Sequence, residues 1–253
     1  MQRRAWTSGQ HDRDCSWRAD VTTRGQRILL AGGTGLVGGL VARDVLAAPG
    51  FNGVLLAPGR RAVVSADARL VAPVLDFAAP GADGELAATA RAAHALPLDA
   101  FVSCLGTTLR SAGSREAFLA VDRELVLRLA QLARGMGASR AILVSSVGAS
   151  RQSGNFYLRV KGEVEDAMER LGFSRLDILQ PGLLIGPRSE RRPAEALAQR
   201  VAPLANVLLR GTLRRYRSLG AGSVARAIVA LLGESAPGVF THTHDAIVEY
   251  AAS

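Results

Sequence analysis

The 253-residue chain has few cysteines, almost no lysine and no long apolar run, and each shortage excludes a class of protein. Two cysteines, Cys15 and Cys104, are too few for a disulfide framework or a multi-cysteine zinc site. No stretch approaches the roughly 18 uninterrupted apolar residues that suggest a membrane span. His94, His242 and His244 have no partners at metal-ligand spacing. We therefore expect neither a metal nor a membrane as a partner.

The first 26 residues show no pattern of a folded element. Residues 1–26 mix Arg, Asp, Ser, Thr and Gly without sustained periodicity, and they contain no apolar segment of a secretory signal. We expect a disordered tail at 1–26 and a single domain at 27–253, in which 187–253 contributes the substrate side. Because no secretory signal is present, the expected compartment is the cytoplasm.

The chain is strongly basic, with 31 Lys and Arg residues against 22 Asp and Glu residues and a formal charge of +9. The arginines are scattered, and no basic stripe with interleaved aromatic residues occurs. We therefore do not expect nucleic acid as the main partner.

All but one of the basic residues are arginines. The exception, Lys161, keeps an amine where nearly every other cation is a guanidinium, which marks it as a candidate functional residue.

From residue 27 onward, short apolar runs alternate with segments of helical periodicity. We predict strands at 27–31, 54–57, 70–75, 99–104, 141–144 and 176–179, helices at 40–48, 82–95, 114–135, 155–171 and 224–232, and a short tail at the end. Strands that are apolar throughout and alternate with helices form parallel sheets covered on both faces. The sequence predicts an α/β protein, a doubly wound parallel-sheet Rossmann fold with a small C-terminal helical appendage.

A glycine-rich loop follows the first predicted strand and opens the first predicted helix. Gly33, Gly35 and Gly38 fit the G-x-G-x-x-G fingerprint of dinucleotide-binding proteins, and Gly32 fits a wider variant. Glycine allows a tight turn and lets backbone N–H groups approach a pyrophosphate at the helix N-terminus. We expect a bound dinucleotide, and the alternative is a glycine-rich turn without a ligand.

The choice of dinucleotide depends on the residues after the second predicted strand. NAD-specific sites place an acidic residue there, whereas this chain has Arg60 and Arg61, which suit a 2′-phosphate. We expect NADP(H) to be preferred over NAD(H), and the alternative is that arginine is simply common in this chain. Asp76 follows the third predicted strand, where it fits the adenine edge of a cofactor and the cap of a turn equally well.

Tyr157 and Lys161 are four residues apart in a predicted helix, so their side chains share one face. An ammonium close to a phenol favours the phenolate, and the same lysine can hold ribose hydroxyls. Ser145 and Ser146 end the preceding predicted strand, where either hydroxyl could orient a substrate carbonyl. We expect Tyr157, Lys161 and one of the two serines to be catalytic. The alternative is an exposed helix pair without a function.

The glycine loop, the Tyr-x-x-x-Lys pair and the upstream serines together resemble the short-chain dehydrogenase/reductase superfamily. Finer motifs resemble its atypical branch of NAD(P)H-binding, NmrA-like Rossmann proteins, typified by the human HIV Tat-interacting protein. These motifs lie at 104–108 (CLGTT), 121–127 (VDRELVL), 143–149 (LVSSVGA), 155–157 (NFY), 161–165 (KGEVE) and 181–184 (PGLL). The resemblance covers about residues 27–195.

The resemblance implies a role for individual positions. The pyrophosphate would contact Thr34, Gly35, Leu36 and Val37, the 2′-phosphate Arg60 and Arg61, the nicotinamide side Leu105 and Gly106, and the remaining edge of the cofactor Pro181, Leu183 and Arg188. The catalytic pair would be Tyr157 and Lys161.

Two positions depart from the family pattern. Asp122 stands where many superfamily members have an Asn that supports a proton relay, and Gln180 stands where close relatives have Arg before Pro-Gly. The implied function is an NADPH-dependent oxidoreductase that reduces a small carbonyl-like substrate of unassigned structure. The Asp122 departure keeps a second hypothesis open, a non-catalytic NADP(H)-binding sensor or regulatory protein with a protein partner. A nucleotide-sugar epimerase is less favoured, because the region after residue 187 is small for such a substrate.

Overall fold

The computed structural model describes residues 25–186 and 211–253. The predicted tail therefore lies almost wholly outside the described residues. Arg188, which the family resemblance implied for the cofactor site, lies outside them as well.

The centre of the described structure is a sheet of seven parallel strands. The described residues form nine strands, which are, in chain order, β1 (Arg27–Ala31), β2 (Val54–Leu56), β3 (Leu70–Val71), β4 (Ala100–Ser103), β5 (Arg140–Val144), β6 (Arg175–Leu179), β7 (Leu184–Ile185), β8 (Leu219–Gly220) and β9 (Gly238–His242). The large sheet has the order β3-β2-β1-β4-β5-β6-β9, and β7 pairs with β8 separately. Its six pairings are all parallel. The strand order reverses between β1 and β4, which is where ligands bind on sheets of this kind.

Helices cover both faces of the sheet. They are α1 (Leu36–Ala47), α2 (Ala82–Ala92), α3 (Leu109–Ala112), α4 (Arg115–Leu119), α5 (Val126–Gly135), α6 (Phe156–Arg170), α7 (Ala221–Leu231) and α8 (His244–Ala252), with a π-helical segment at Ala120–Leu125 and a 3-10 helix at Gly211–Tyr216. Side chains alternate along β1, so Ile28 and Leu30 join the core formed with α1 and α7, whereas Leu29 and Ala31 join the core formed with α2, α5 and α6. The predicted doubly wound Rossmann fold with a helical C-terminal end is confirmed. No helix within the described ranges is long and apolar enough to cross a membrane.

Local sequence determines where two helices near the sheet edge begin. Ser114 Oγ accepts a hydrogen bond from the Ala117 N–H at 3.0 Å, and Asn155 Oδ1 accepts one from the Leu158 N–H at 3.2 Å. Serine and asparagine are preferred N-cap residues because their side chains satisfy N–H groups that have no partner inside the helix. The Asn155 cap starts α6 just before Tyr157.

Two predicted elements differ from the structure. The helix predicted at 114–135 is interrupted by the π-helical segment, whose wider turn a search for helical periodicity does not detect. The strand predicted at 70–75 has only two ladder residues, because Pro73 has no N–H to donate to a neighbouring strand. Val74 forms an isolated bridge with Gly59 instead.

The C-terminal segment contains a strand and a helix where a short tail was predicted. β9 extends the sheet beside β6, and buried polar residues join the two strands. Asp177 of β6 accepts two hydrogen bonds from Arg175, at 2.7 and 2.9 Å, and its Oδ1 lies 2.8 Å from His242 Nε2 of β9. All three side chains are buried. This pairing joins residues far apart in the chain, so a local pattern could not predict it.

Candidate cofactor-binding and catalytic site

The loop between β1 and α1 lies so close to other backbone that two of its positions require glycine. Gly32 has φ +85°, and a Cβ there would lie 2.8 Å from the carbonyl carbon of Cys104. A Cβ on Gly38 would lie 2.1 Å from the Gly32 carbonyl oxygen. The sequence fingerprint therefore marks a tight turn seated against the end of β4. At these two positions, only backbone atoms border the space beyond the end of β1.

The N-terminus of α1 is open to an anion. Gly35 is the N-cap, no side chain caps the first turn, and the first turn carries no acidic residue. Thr34 and Gly35 are exposed, Leu36 is half-buried, and Val37 is buried in the core. Unpaired N–H groups and the positive end of the helix dipole suit a phosphate at this place.

The arginines after β2 are available for a ligand. Arg60 and Arg61 are exposed, and within the described part of the chain neither makes a hydrogen bond or an ion pair. By contrast, nearby Arg69 is held by Asp67 at 2.6 Å. Asp76 is exposed, and its Oδ1 accepts a hydrogen bond from the Ala78 N–H at 2.9 Å, so it caps a turn. This contact agrees with the turn alternative for Asp76 and leaves its other lone pairs open.

Lys161 lies on α6 and is buried beside the loop that follows β4, with only 5% of its surface exposed. Its Nζ lies 6.0 Å from the centre of the Tyr157 ring and 2.9 Å from Asp122 Oδ1. A Cβ on Gly106 would lie 3.6 Å from the same Nζ. The helix pair predicted from the sequence is therefore not an exposed one, because its lysine is anchored beneath the loop of Leu105 and Gly106.

Asp122 lies in the π-helical segment and is completely buried. Its Oδ2 accepts hydrogen bonds from the Thr107 N–H and the Thr107 hydroxyl, both at 2.8 Å. With Lys161 on its other oxygen, the carboxylate links α6 to the loop after β4. Asp122, which stands where many superfamily members have Asn, thus anchors Lys161 through its charge.

A cavity of about 440 Å³ brings the predicted catalytic hydroxyls together. It is lined by Thr108, Ser145, Ser146, Val147, Tyr157, Pro181, Gly182, Leu183, Leu184 and Tyr216. Sequence reasoning gave no site role to five of these residues, which are Thr108, Val147, Gly182, Leu184 and Tyr216. Thr108 belonged to a quoted motif but received no role, and Tyr216 comes from a 3-10 helix more than thirty residues after Leu183 with no local signal.

The two serines differ in their partners. Ser145 is buried, and its Oγ donates a hydrogen bond to Glu165 Oε1. Gln180 Nε2 donates to both carboxyl oxygens of Glu165 at 3.0 Å. Burial raises the pKa of Glu165, while the hydrogen bonds from Ser145 and Gln180 act in the opposite direction. Glu165 was also missed as a site residue, although its place four residues after Lys161 puts it on the same helix face.

Cys104 follows β4 directly, beside the glycine loop. Burial raises the pKa of its thiol to about 12, so the thiol stays protonated and is a poor nucleophile. This environment suits a packing role for Cys104.

Comparison with known proteins identifies relatives. No family model matches the chain. Protein HTATIP2 of Rattus norvegicus is 34% identical over 190 residues, which span 72% of this chain and 73% of that protein. Protein fmp52, mitochondrial, of Aspergillus fumigatus is 34% identical over 217 residues, which span 83% and 91%.

Solved structures share the fold. DesIV from Streptomyces venezuelae, a dTDP-glucose 4,6-dehydratase double mutant with NAD and DAU bound, superposes with a TM-score of 0.61 at 20% identity. The match covers 86% of this chain and 75% of that one.

These relatives correct one expectation and establish the family. The expected cytoplasmic location is wrong by this comparison, because several fungal relatives are named as mitochondrial proteins. The absence of an apolar signal segment excludes only secretory signals, since mitochondrial transit peptides are amphipathic and Arg-rich. The share of sequence common to this chain and rat HTATIP2, together with the Rossmann sheet, shows that the chain belongs to the HTATIP2 and fmp52 family, an atypical branch of the short-chain dehydrogenase/reductase superfamily.

Proposed function

We propose that the protein is an NADPH-dependent oxidoreductase that reduces a small carbonyl-like substrate. One observation carries the proposal: Tyr157 lines the same cavity as Ser145 and Ser146, one helical turn from a buried Lys161. The cavity also borders the carboxyl ends of the central strands, where ligands of such sheets bind.

The residues present fit a dinucleotide. The tight glycine loop from Gly32 to Gly38 and the uncapped start of α1 would hold the pyrophosphate. Arg60 and Arg61, which have no partner within the described residues, would hold the 2′-phosphate and give the preference for NADP(H). The nicotinamide side would face Leu105 and Gly106, with Pro181 and Leu183 opposite. When bound, the cofactor supplies a hydride.

The chain's own residues would supply the proton and the orientation. The Tyr157 hydroxyl donates its proton to the substrate oxygen, and the ammonium of Lys161 stabilises the phenolate that remains. A serine hydroxyl from the end of β5 donates a hydrogen bond to the same oxygen. Asp122 holds Lys161 in place through an ion pair at 2.9 Å. The wall formed by Tyr216 supports a substrate-side role for the C-terminal part, 187–253.

The ion pair also favours a second candidate function. The Asp122 carboxylate compensates the charge of Lys161, and a compensated ammonium stabilises a phenolate less well. In that case the Tyr157 and Lys161 pair would serve only to hold the cofactor, and the protein would be an NADP(H)-dependent sensor or regulatory protein that binds a protein partner.

NADPH oxidation against a panel of aldehydes, ketones and quinones, with cofactor affinity measured in parallel, separates these candidates. We expect turnover in the wild type and a loss on the order of 100-fold in Tyr157→Phe, with NADPH affinity retained. Tyr250→Phe is the matched control, because Tyr250 packs on His242 away from the cavity. Tight NADPH binding without turnover on any substrate would favour the sensor, and absence of NADPH binding would refute both candidates.

A further inference from the structure

A buried hydrogen-bonded cluster lies directly behind the cavity. Ser145 follows β5, Gln180 follows β6, and Glu165 reaches them from α6, one turn after Lys161. Glu165 Oε1 accepts the hydroxyl hydrogen of Ser145, and both of its oxygens lie 3.0 Å from Gln180 Nε2. The cluster therefore couples the position of a cavity-lining hydroxyl to a carboxyl group on the neighbouring helix.

Glu165 also reaches a second cavity on the other side of the cluster. This outer cavity, of about 630 Å³, is lined by Ala149, Ser150, Arg151, Gln152, Gly162, Glu165 and Asp166. Ser145 lines the cavity that also contains Tyr157, and Glu165 lines the outer cavity. Glu165 can thus exchange its proton with water that does not pass through the substrate space.

Among the described residues, no cation pairs with the carboxylate of Glu165. Its hydrogen-bond partners, Ser145 and Gln180, are neutral, and the charged groups that act on it most, Asp166 and Glu169, are negative. Arg151, on the loop that faces α6, pairs with Asp166 at 3.2 Å. Burial and these two carboxylates raise the pKa of Glu165, so it keeps its proton to higher pH than an exposed glutamate.

The protonation state of Glu165 decides what Ser145 can offer the substrate. A serine hydroxyl has one hydrogen. When Glu165 is ionised, that hydrogen points to the carboxylate, and Oγ presents only lone pairs to the cavity. When Glu165 is protonated, its own O–H donates to Ser145 Oγ, and the serine hydrogen is free to point at a substrate oxygen.

We propose that Glu165 is a positioning residue whose proton directs the Ser145 hydroxyl hydrogen toward the substrate oxygen. This inference rests on the proposed reductase function. Ser146 has no such partner among the described residues, so Ser145 is the serine whose contribution depends on pH. Glu165 transfers no proton to the substrate, because Tyr157 supplies that proton. Glu165 only orients the Ser145 hydroxyl, so its own protonation state is the same before and after each turnover.

The pH dependence of kcat/KM tests the inference. In the wild type we expect a descending limb at high pH that begins as Glu165 ionises. In Glu165→Gln the amide N–H donates permanently to Ser145 Oγ, so this limb is lost while the activity at low pH is kept within a few-fold. Glu163→Gln is the matched control on the same helix, since Glu163 pairs with Arg123 at 3.3 Å, and its profile should follow the wild type.

A second variant gives a directional test. Gln180→Arg places a guanidinium beside Glu165, which stabilises the carboxylate and should move the descending limb to lower pH. The infrared carbonyl band of a protonated carboxyl, followed against pH in wild type minus Glu165→Gln, reads the same ionisation without cofactor or substrate. We expect the band to disappear over the pH range in which the limb falls.

The following outcomes would contradict the inference about Glu165. A wild type that turns over substrate while Glu165→Gln keeps the same limb, or a carboxyl band that is absent throughout, overturns the inference and leaves the reductase proposal intact. A limb in Gln180→Arg that moves to higher pH also overturns it. Failure of the wild type to turn over any substrate overturns the reductase proposal and the inference with it.

Discussion

Asp122 Oδ1 lies 2.9 Å from Lys161 Nζ, and this ion pair has 0% and 6% of its side-chain surfaces exposed. The only lysine of the chain is thus held by a carboxylate that itself accepts two hydrogen bonds from Thr107. A buried pair of this kind costs desolvation, but removing one partner costs more, because the other charge is then left without compensation. The pair therefore couples the stability of the domain to the geometry of the catalytic candidate.

Replacing Asp122 by Ala should lower the free energy of unfolding by about 3–5 kcal/mol, since a buried ammonium loses its counter-charge and two Thr107 donors lose their acceptor. Asp122→Asn keeps an oxygen for Thr107 and should lose less. Chemical denaturation at neutral pH measures both. A loss below about 1 kcal/mol in Asp122→Ala would show that Lys161 finds water or another acceptor without cost.

The features that sequence predicted well are those that depend on neighbouring residues. The glycine loop needs Gly38 because a Cβ there would meet the Gly32 carbonyl oxygen, which is six residues earlier, and a constraint this local is visible in a short motif. Gly32 also has a positive φ, which favours glycine. The Tyr157 and Lys161 pair depends only on helical spacing. Apolar runs predicted six of the seven strands of the large sheet, because parallel strands are buried on both faces.

The features that sequence could not predict are set by tertiary contacts. β9 joins the sheet through the buried contact of His242 with Asp177, which no local pattern encodes. The partners of Glu165 come from the ends of β5 and β6, so its role emerges only once these strands lie beside α6. Gln180 was visible as a departure from the family motif, but its consequence for Glu165 was not.

Changing Arg60 and Arg61 together to Ala should weaken NADPH binding much more than NADH binding. Each charge-assisted hydrogen bond lost to a 2′-phosphate costs about 1.5–3 kcal/mol, and NADH has no phosphate there to lose. Isothermal titration with both cofactors measures the difference. Arg91→Ala is a matched control, since Arg91 is exposed on α2 and away from the loop after β2. Equal weakening of the two cofactors would show that the arginines do not contact the phosphate.

Lys161→Arg should impair reduction although the charge is kept. The pocket beneath Gly106 holds a compact ammonium, and a longer planar guanidinium would displace the catalytic geometry, with a loss of turnover on the order of 100-fold. The reverse exchange at a surface pair, Arg123→Lys, should change stability by less than about 0.5 kcal/mol and leave turnover unchanged. Steady-state kinetics and denaturation of both variants provide the comparison, and full activity in Lys161→Arg would contradict a catalytic lysine.

Glu165→Gln should become more stable relative to the wild type as pH rises. Burial raises the pKa of Glu165 in the folded state above the ordinary value of about 4.3. Below that ordinary value, both states of the wild type hold the proton, so the stability difference between the two proteins is constant. Above it, the unfolded chain ionises first, and wild-type stability falls by at most about 1.4 kcal/mol per pH unit until the folded-state pKa is passed. Denaturation midpoints from about pH 4 to pH 8 should show this gap widen for Glu165→Gln and not for Glu163→Gln. A gap that stays flat or narrows would mean that the carboxyl of Glu165 is ionised as easily in the folded protein as in the unfolded chain.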